Sequence, residues 1–503
     1  MSRQLHFLKQ IGSLKNHRSF FLLIITYFLT HLFFRLLLTN SLEVDEAEQV
    51  FLSQKLLLGY NQQPPLYTWI IIFITKLFGY SLLSIIIFRT VLLIGIFTLV
   101  FTISKQYQDS FLDANISTLS LFLFLQLSVE SFRQTHTVLI TFSVVFMIWS
   151  FTRLIRNPSN LNYIILGITI TLGILSKYNF VISLLAFLLA VISDIEYRKI
   201  ILNKKISLSI LVFLVLITPH FIWLYKNMTT TSEETINDLA TQNLSYISTI
   251  TPSIWAISKG VLSFAGLFFV SMLLLFKGKI KSVFETQKNR FVNFLGRFLT
   301  LSVLIFAIIL VFTKATNAHE RWIQPLLIIT PIYVFCCIDE HEKSIKRYKV
   351  FKNILIIIAA LTLVNKPLSI GLGPSLGFTE RINRPYFKFA KFLLQNHSSQ
   401  LEKSNLIICD AIDFTGTMKV LIPNHFYDAF TAKNDLFYTS IDQYNNKTIL
   451  LLGTSENNQK LVNSIKSKVN NLSIKESSSK TFFYNYSNKK TYTFYYTFIT
   501  ICN

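Results

Sequence analysis

The sequence predicts a polytopic α-helical membrane protein with about eleven transmembrane helices and a small C-terminal α/β domain. Three observations lead to this prediction. Of the 503 residues, 51% are hydrophobic and only 15% are charged, whereas a soluble domain carries about 25% charged residues. Apolar runs of nearly twenty residues recur, which is the length that a helix needs to cross a bilayer. From residue 371 onward the apolar runs are too short to span.

Hydropathy predicts eleven spans. The first follows a basic start and precedes no small-residue cleavage site, so we interpret it as an anchor rather than a signal peptide. The stretch 64–80 is apolar but short and begins with two prolines, and we expect a helix lying at the membrane interface. The predicted spans are 19–40, 82–104, 116–130, 135–155, 161–176, 178–193, 206–225, 255–276, 298–313, 322–338 and 351–370.

Lys and Arg residues indicate the orientation. With a cytoplasmic N-terminus, the inner segments hold about three times as many Lys and Arg residues as the short outer segments, as the positive-inside rule requires. A crossing at 64–80 would invert this bias. The sequence therefore predicts a transmembrane domain of residues 1–370, with a first outer loop at 41–81, and an extracytoplasmic α/β domain of residues 371–503.

The C-terminal segment alternates short apolar runs with helical patterns, which is typical of an α/β domain. Residues 406–409 and 448–452 are predicted as buried strands, and 386–394 and 460–469 as helices. The Asn/Ser/Lys-rich stretch 455–490 is predicted to include mobile loops.

Charge and cysteine content limit the partners. The net charge of +22 would suit nucleic acid, but the basic residues stand between apolar spans and not on one face. We therefore expect no nucleic acid partner.

Four cysteines lack metal-ligand spacing. Cys336 and Cys337 lie in an apolar run, whereas pairing of Cys409 with Cys502 stays open, because it depends on an oxidising compartment.

The first outer loop opens with four carboxylates. Apolar residues at helical spacing predict an amphipathic helix over 45–58, with Gly59 as its C-cap. Asp45 and Glu48 would share one face of it, while Glu46 points elsewhere. A helix dipole explains one or two acids at such a start, but four in an acid-poor chain indicate a functional site.

Other polar residues lie on the same predicted side of the membrane. Single Lys and Arg residues near helix ends often snorkel, and Trp belongs to the interfacial belt. A carboxylate loop that faces several cations is nevertheless typical of a site for an anionic lipid headgroup. The polar residues on this predicted outer side are Glu130, Arg133, His136, Lys177, Tyr178, Lys314, His319, Glu320, Arg321 and Gln324.

Ordered motifs in the chain resemble the bacterial members of glycosyltransferase family 39, a group related to protein O-mannosyltransferases and to the aminoarabinose transferase that acts on lipid A. The likeness covers about residues 20–370 and, more faintly, the tail. Gln62 and Gln63 stand where many relatives carry an acid and a histidine, and His136 lies where many carry an aspartate. The motifs that carry the resemblance are Asp45-Glu46-Ala47, Gly59-Tyr60, Pro64-Pro65-Leu66, 175–179, 219–223 and 320–325.

The resemblance implies a GT-C fold and an inverting transfer of a sugar from a polyprenyl-phosphate donor. The acceptor would be lipid A, a glycan or a protein at the outer face of the bacterial inner membrane. Asp45 would take or orient the acceptor proton, assisted by Glu46, and Lys177 and Arg321 would stabilise the leaving phosphate. A divalent metal ion stays open as a cofactor. The expected substrate-binding residues also include Glu48, Tyr60, His136, Tyr178, His319 and Gln324.

The main alternatives are a transporter or flippase and a ligase of lipid-linked sugars. A transporter predicts ionisable residues near the midplane of several spans, and such residues are nearly absent here. A ligase normally places its key groups in a large later outer loop. We expect the tail to tune the choice of acceptor; its Asp410 and Asp413 follow a strand, where α/β domains often keep functional groups, although two such acids also suit a solvated helix start.

Overall fold

The structure is a computed structural model, and two compact units make up the chain. The helical unit contains Met1–Leu29, Leu57–Tyr67 and Arg89–Leu363, and the mixed unit contains Thr30–Leu56, Thr68–Phe88 and Val364–Asn503. The domain boundary at residue 370 stays a prediction. The structure describes residues 17–60, 63–108, 110–227, 246–276, 289–338, 345–430, 436–439, 443, 447–454, 457–468 and 472–501.

Within these residues seven helices are long and apolar enough to cross a membrane. The pair Phe180–Ile192 and Ile195–Ile201 is bent by 119° at a short break and would make an eighth if it forms one span. The chain is therefore a polytopic helical protein, with fewer full-length spans than the eleven predicted. The seven helices are His17–Leu38, Leu82–Tyr107, His136–Arg156, Ile206–Lys226, Tyr246–Leu275, Arg290–Phe312 and Ile345–Gly371.

The other three predicted spans coincide with short helices. The stretch 161–176 forms Asn160–Ser176, of 17 residues. The stretch 322–338 is divided into Glu320–Leu327 and Thr330–Cys337, where Pro331 opens the second helix, a position that suits a residue without an N–H. The stretch 116–130 is broken into the short α-helices Phe111–Leu119 and Leu125–Ser128 and the 3₁₀ turns Ser120–Leu123 and Glu130–Phe132.

The first outer loop holds two helices. The acidic helix is Val44–Leu52, shorter than the predicted 45–58, and it ends at Ser53, whose N–H bonds to the carbonyl of Gln49. The extension to Gly59 was wrong because Gln54 leaves the helix to bond with a distant strand, as described below. The stretch predicted to lie at the interface forms the helix Leu66–Phe78, whose 13 residues are fewer than a span needs; its position at the interface stays a prediction.

The C-terminal part contains a mixed five-stranded sheet of order β2-β1-β3-β5-β4. β1 is parallel to β2 and β3, while β5 is antiparallel to β3 and β4. The α/β prediction is confirmed. The strands are β1 Ser404–Cys409, β2 Tyr427–Ala429, β3 Thr448–Thr454, β4 Leu472–Phe483 and β5 Thr491–Ile501.

Helices cover both faces of this sheet. On one face Tyr386–Asn396 and Ile412–Leu421 share a core with alternate residues of the strands. On the other, Asn457–Lys468 packs through Leu461 and Ile465. Ile412–Leu421 connects the parallel strands β1 and β2 and is called the crossover helix below. Further short segments are Ser398–Glu402, Gly373–Leu376 and Arg381–Asn383.

Where the structure describes the stretch 455–490, it contains the helix Asn457–Lys468, all of β4 and the connection 484–490 to β5. The predicted mobility of its loops stays a prediction. β4 is an exposed edge strand, and its polar composition reflects solvent on its surface rather than a loop. Cys409 is buried with a free thiol, whereas Cys502 lies outside the described residues.

Candidate active site

The acidic helix begins with a reciprocal cap. The Glu43 side chain accepts from the backbone N–H of Glu46, and the Glu46 carboxylate accepts from the N–H of Glu43 at 2.9 Å. The same Glu46 oxygen lies 2.8 Å from Nη2 of Arg35, and both side chains are 1% exposed. Arg35 also donates to the carbonyl of Ser41 at 2.7 Å. Two of the four clustered acids therefore build the start of this helix.

The other two acids lie three residues apart and stay partly exposed, as their shared face predicts. Burial, together with the neighbouring charge of Asp45, raises the pKa of Glu48 to about 7. Such a carboxyl changes its protonation state near neutral pH, which suits a group that accepts and releases a proton during a reaction. The structure thus separates the predicted set by exposure: Glu46 is buried, while Asp45 and Glu48 are partly exposed.

The loop residues Leu57–Tyr67 belong to the helical unit. Tyr60 is buried, and its hydroxyl accepts from the N–H of Leu57 at 3.0 Å. Gly59 lies beneath the ring of Trp223, where an added Cβ would be 2.1 Å from Cε3. Gly59 is therefore required for close packing and not as a helix cap. The Tyr60 side chain stabilises the conformation of this turn through its bond with Leu57.

His220 joins this turn to the hairpin that follows Lys177. Its Nδ1 lies 2.8 Å from the carbonyl of Leu58, which can only accept, so Nδ1 carries the proton. In the neutral ring Nε2 then accepts from the Tyr178 hydroxyl at 3.3 Å. Burial raises the pKa of Tyr178 to about 12, which keeps the phenol a donor. Sequence reasoning noticed His220 as part of a motif but did not place it in the site.

His136 opens the helix His136–Arg156 and lies beside the same hairpin. Its Nδ1 is 3.0 Å from the carbonyl of Ser176, the residue before Lys177, and its ring packs against Tyr67 with centroids 5.3 Å apart. The structure therefore brings together His136 and the Lys177 backbone. Deeper in this unit, the Gln324 amide donates to the hydroxyl of Thr141 at 3.0 Å.

His319 and Arg321 flank the start of the helix Glu320–Leu327 and are exposed. The His319 ring packs edge-on against Trp322 at 5.0 Å. Between them Glu320 accepts from Ser263, and this bond is the main cause that lowers the pKa of Glu320. Within the part of the chain that the structure describes, the Arg321 guanidinium makes no hydrogen bond or ion pair, and it is available for an anion.

Lys314 has an unusual backbone near this segment. The helix Arg290–Phe312 ends with bonds from Lys314 N–H to Val311 and from Ala315 N–H to Leu310, the pattern of a Schellman cap. Lys314 has φ of 55°, a conformation in which glycine is usual. The sequence placed Lys314 among the polar residues of the predicted outer side, but no sequence signal identifies its backbone conformation.

The two tail carboxylates hold the C-terminal domain together. Asp410 accepts from the N–H and hydroxyl of Thr454 at 2.6 and 2.9 Å, and burial raises its pKa. Asp413 pairs with Arg381 at 2.7 Å. Among the described residues no three His, Cys, Asp or Glu side chains converge as a metal site would require.

Comparison with known proteins connects this arrangement to a chemistry. Residues 62–223 match the family described as dolichyl-phosphate-mannose-protein mannosyltransferase. The chain is 29% identical over 410 residues to the lipopolysaccharide core galacturonosyltransferase RgtB of Rhizobium johnstonii, covering 80% of this chain and 81% of that protein. It is 27% identical to RgtA of the same organism, with 80% of each chain covered.

Solved structures agree in fold. The crystal structure of ArnT from Cupriavidus metallidurans bound to undecaprenyl phosphate superposes with a TM-score of 0.60, at 12% identity, over 95% of this chain and 98% of ArnT. The apo state of ArnT gives a TM-score of 0.56 at 12% identity, over 94% and 96% of the two chains. Together these findings confirm the resemblance drawn from the motifs, and the chain is a membrane glycosyltransferase.

Proposed function

We propose that this protein transfers a galacturonosyl residue from a polyprenyl-phosphate donor to the core of lipopolysaccharide. The observation that carries the substrate class is the match to two lipopolysaccharide core galacturonosyltransferases over about four fifths of each chain. The donor class is supported by the fold shared with an undecaprenyl-phosphate-bound transferase. The partly exposed Asp45, on a helix fixed at both ends, is the base that such a transfer needs.

In the proposed reaction an acceptor hydroxyl oxygen attacks the anomeric carbon of the donor. A new glycosidic bond forms as the bond from that carbon to the phosphate oxygen breaks, and the polyprenyl phosphate leaves with the electron pair. The configuration inverts because attack and departure occur on opposite faces. Asp45 takes the hydroxyl proton. Glu46 contributes by holding the helix that carries Asp45, because its oxygen is occupied by Arg35 and by the helix cap.

A galacturonosyl donor carries two negative groups, the phosphodiester and the uronate carboxylate. Lys177 and the exposed Arg321 are the proposed cations, since charge-assisted bonds to such groups are strong. Tyr178, oriented by His220, and His319 are proposed hydrogen-bond partners. His136 and Gln324 would support the hairpin at Lys177 and its neighbouring helix. Tyr60 would stabilise the conformation of the loop, and Glu48 would influence the protonation of Asp45.

The proposed location is the bacterial inner membrane, with the acidic loop and the tail on its outer side. The excess of Lys and Arg in the segments between predicted spans supports this orientation. The predicted count of eleven crossings requires that the shorter helical segments complete some of them, because seven or eight of the described helices are long enough alone. The bilayer would then deliver the donor in the plane of the membrane, next to the loop that holds the base.

The test compares lipopolysaccharide from cells that carry the wild-type protein, the variant Asp45→Asn or no protein. Mass spectrometry should show one uronic acid residue fewer in the core of the second and third samples. Purified protein should also transfer galacturonic acid from synthetic polyprenyl phosphate to isolated core. Loss of a sugar from lipid A, another glycan or a protein, with an unchanged core, would refute the proposed acceptor.

A further inference from the structure

The acidic helix packs directly on the crossover helix of the C-terminal sheet. A Cβ built on Gly416 would lie 1.9 Å from the carbonyl oxygen of Ala47 and 2.7 Å from its Cα. Ala47 lies between Asp45 and Glu48. Because all the close atoms belong to the backbone, no rotation of a side chain could make room. The absence of a side chain at Gly416 therefore sets how near the two helices approach.

The crossover helix is itself a rigid surface. Phe414 and Met418 are buried in the core that it shares with the sheet. The Tyr427 hydroxyl, at the start of β2, donates to the carbonyl of Ile422 at 2.9 Å and so ties down the end of the helix. Any displacement at this contact must consequently be taken up by the acidic helix.

A second attachment holds the C-terminal end of the acidic helix. The Gln54 amide donates to the Tyr427 carbonyl at 3.1 Å and accepts from the Tyr427 N–H at 3.0 Å. These two bonds occupy the open edge of β2 in the way that a neighbouring strand would. Gln54 and Tyr427 are 373 residues apart in the sequence.

A third attachment comes from the loop after β2. The Tyr438 hydroxyl donates to the Leu52 carbonyl at 3.0 Å, which satisfies one of the last carbonyls of the acidic helix. Tyr438 is fixed by the buried Asp428, whose carboxylate accepts from the N–H groups of Phe437, Tyr438 and Thr439 at 3.0 to 3.1 Å. A buried carboxylate that the reaction does not use thus orders this short segment.

We propose that the C-terminal domain positions Asp45, the proposed catalytic base, with Gly416, Gln54 and Tyr438 as positioning residues that act through the acidic helix. The inference rests on the proposed function of Asp45. It gives the tail a part in the chemical step, whereas the sequence suggested only a choice of acceptor. Displacement of a reacting group by about 1 Å can cost about 100-fold in rate.

The decisive variant is Gly416→Ala in the full-length protein. Alanine favours a helix over glycine by about 1 kcal/mol, so a loss of activity would not come from helix propensity. The matched control is Gly371→Ala, where an added Cβ meets no atom within 4 Å. Rates are measured with a polyprenyl-phosphate-linked galacturonosyl donor and expressed per amount of monodisperse protein from size-exclusion chromatography, which counts folded protein, and binding of polyprenyl phosphate is measured separately.

We expect Gly416→Ala to lower kcat by about 10- to 100-fold, with the KM for the donor within about twofold of the control. The midpoint of the pH profile of kcat, which we expect Glu48 to set, should also move. A loss of folded protein alone would not cause this shift. Gln54→Leu removes both bonds to Tyr427 at similar volume, and Tyr438→Phe removes only the hydroxyl. These two variants decide the question if Gly416→Ala does not fold, and each should lower kcat with little change in KM.

Unchanged kcat in Gly416→Ala and Gln54→Leu, with the same pH midpoint as Gly371→Ala, would overturn the positioning role. A parallel rise in KM and fall in bound polyprenyl phosphate would overturn it too, because the domain would then serve donor binding. Full transfer by Asp45→Asn would instead refute the proposed function, so the two failures are distinguishable.

Discussion

The carboxylate of Glu46 and the guanidinium of Arg35 form a buried ion pair, 2.8 Å apart, at the start of the acidic helix. Removing one partner from such a pair leaves an uncompensated charge and costs about 3–5 kcal/mol. We expect Arg35→Met to lower the melting temperature of the detergent-purified protein strongly. The double variant Arg35→Met/Glu46→Gln should recover most of the loss, because glutamine is neutral and still accepts from Glu43. A double variant as unstable as Arg35→Met would contradict this account.

Asp45 is expected to be indispensable for transfer. Asp45→Asn keeps the shape of the side chain but removes the base, and we predict a fall in the transfer rate of about 100-fold or more. Membrane insertion and the melting temperature should stay near the wild-type values. The control is Glu402→Gln, at an exposed acid outside the site. Near-normal turnover by well-folded Asp45→Asn would exclude the residue as base.

Glu48 should make the stability depend on pH. Its pKa of about 7 lies above the ordinary value of 4.5, so the folded state favours the protonated form. This contribution is complete below about pH 4.5 and is lost as the pH rises through about 7. Glu48→Gln mimics the protonated form, and its melting temperature should vary less between about pH 5 and 8. The same slope in wild type and Glu48→Gln would assign the pH dependence to another group.

The proposed cations should control the affinity for the donor. Arg321→Ala and Lys177→Ala should each weaken binding of polyprenyl phosphate by about 10- to 100-fold, since charge-assisted bonds contribute about 1.5–3 kcal/mol. Binding is measured by titration of protein in nanodiscs, with Lys204→Ala, an exposed lysine in a predicted inner loop, as the control. Wild-type affinity in both variants would show that these side chains only snorkel.

The acidic loop and the tail should be accessible from the same side of the membrane. In a cysteine-free background, single cysteines at Val44 and Ser399, both exposed, should react with an impermeant maleimide on spheroplasts. A cysteine at Asn203, in a predicted inner loop, should react only after the membrane is permeabilised. Labelling of Val44→Cys without Ser399→Cys would refute the predicted topology.

Local sequence patterns predicted much of this molecule, because the apolar periodicity that specifies a helix or strand lies within the segment itself. The shared face of Asp45 and Glu48 and the strands β1 and β3 are of this kind. The end of the acidic helix was not predictable, because it depends on a bond between Gln54 and Tyr427 across 373 residues. Likewise, His220 joins two loops through contacts that no spacing shows, and hydropathy cannot reveal where an apolar run such as 322–338 breaks.

The edge position of β4 has a consequence for proteins crowded on a membrane surface. Its 12 residues leave a row of backbone N–H and C=O groups open to solvent, the kind of edge that recruits strands from other chains. The ladder with β5 shifts register between Ile474 and Glu476, so Lys475 stands in a bulge, and Lys480 adds a second charge. A bulge and lysines both oppose edge-to-edge pairing. Neighbouring copies, confined to two dimensions, can therefore collide often without their sheets merging into aggregates.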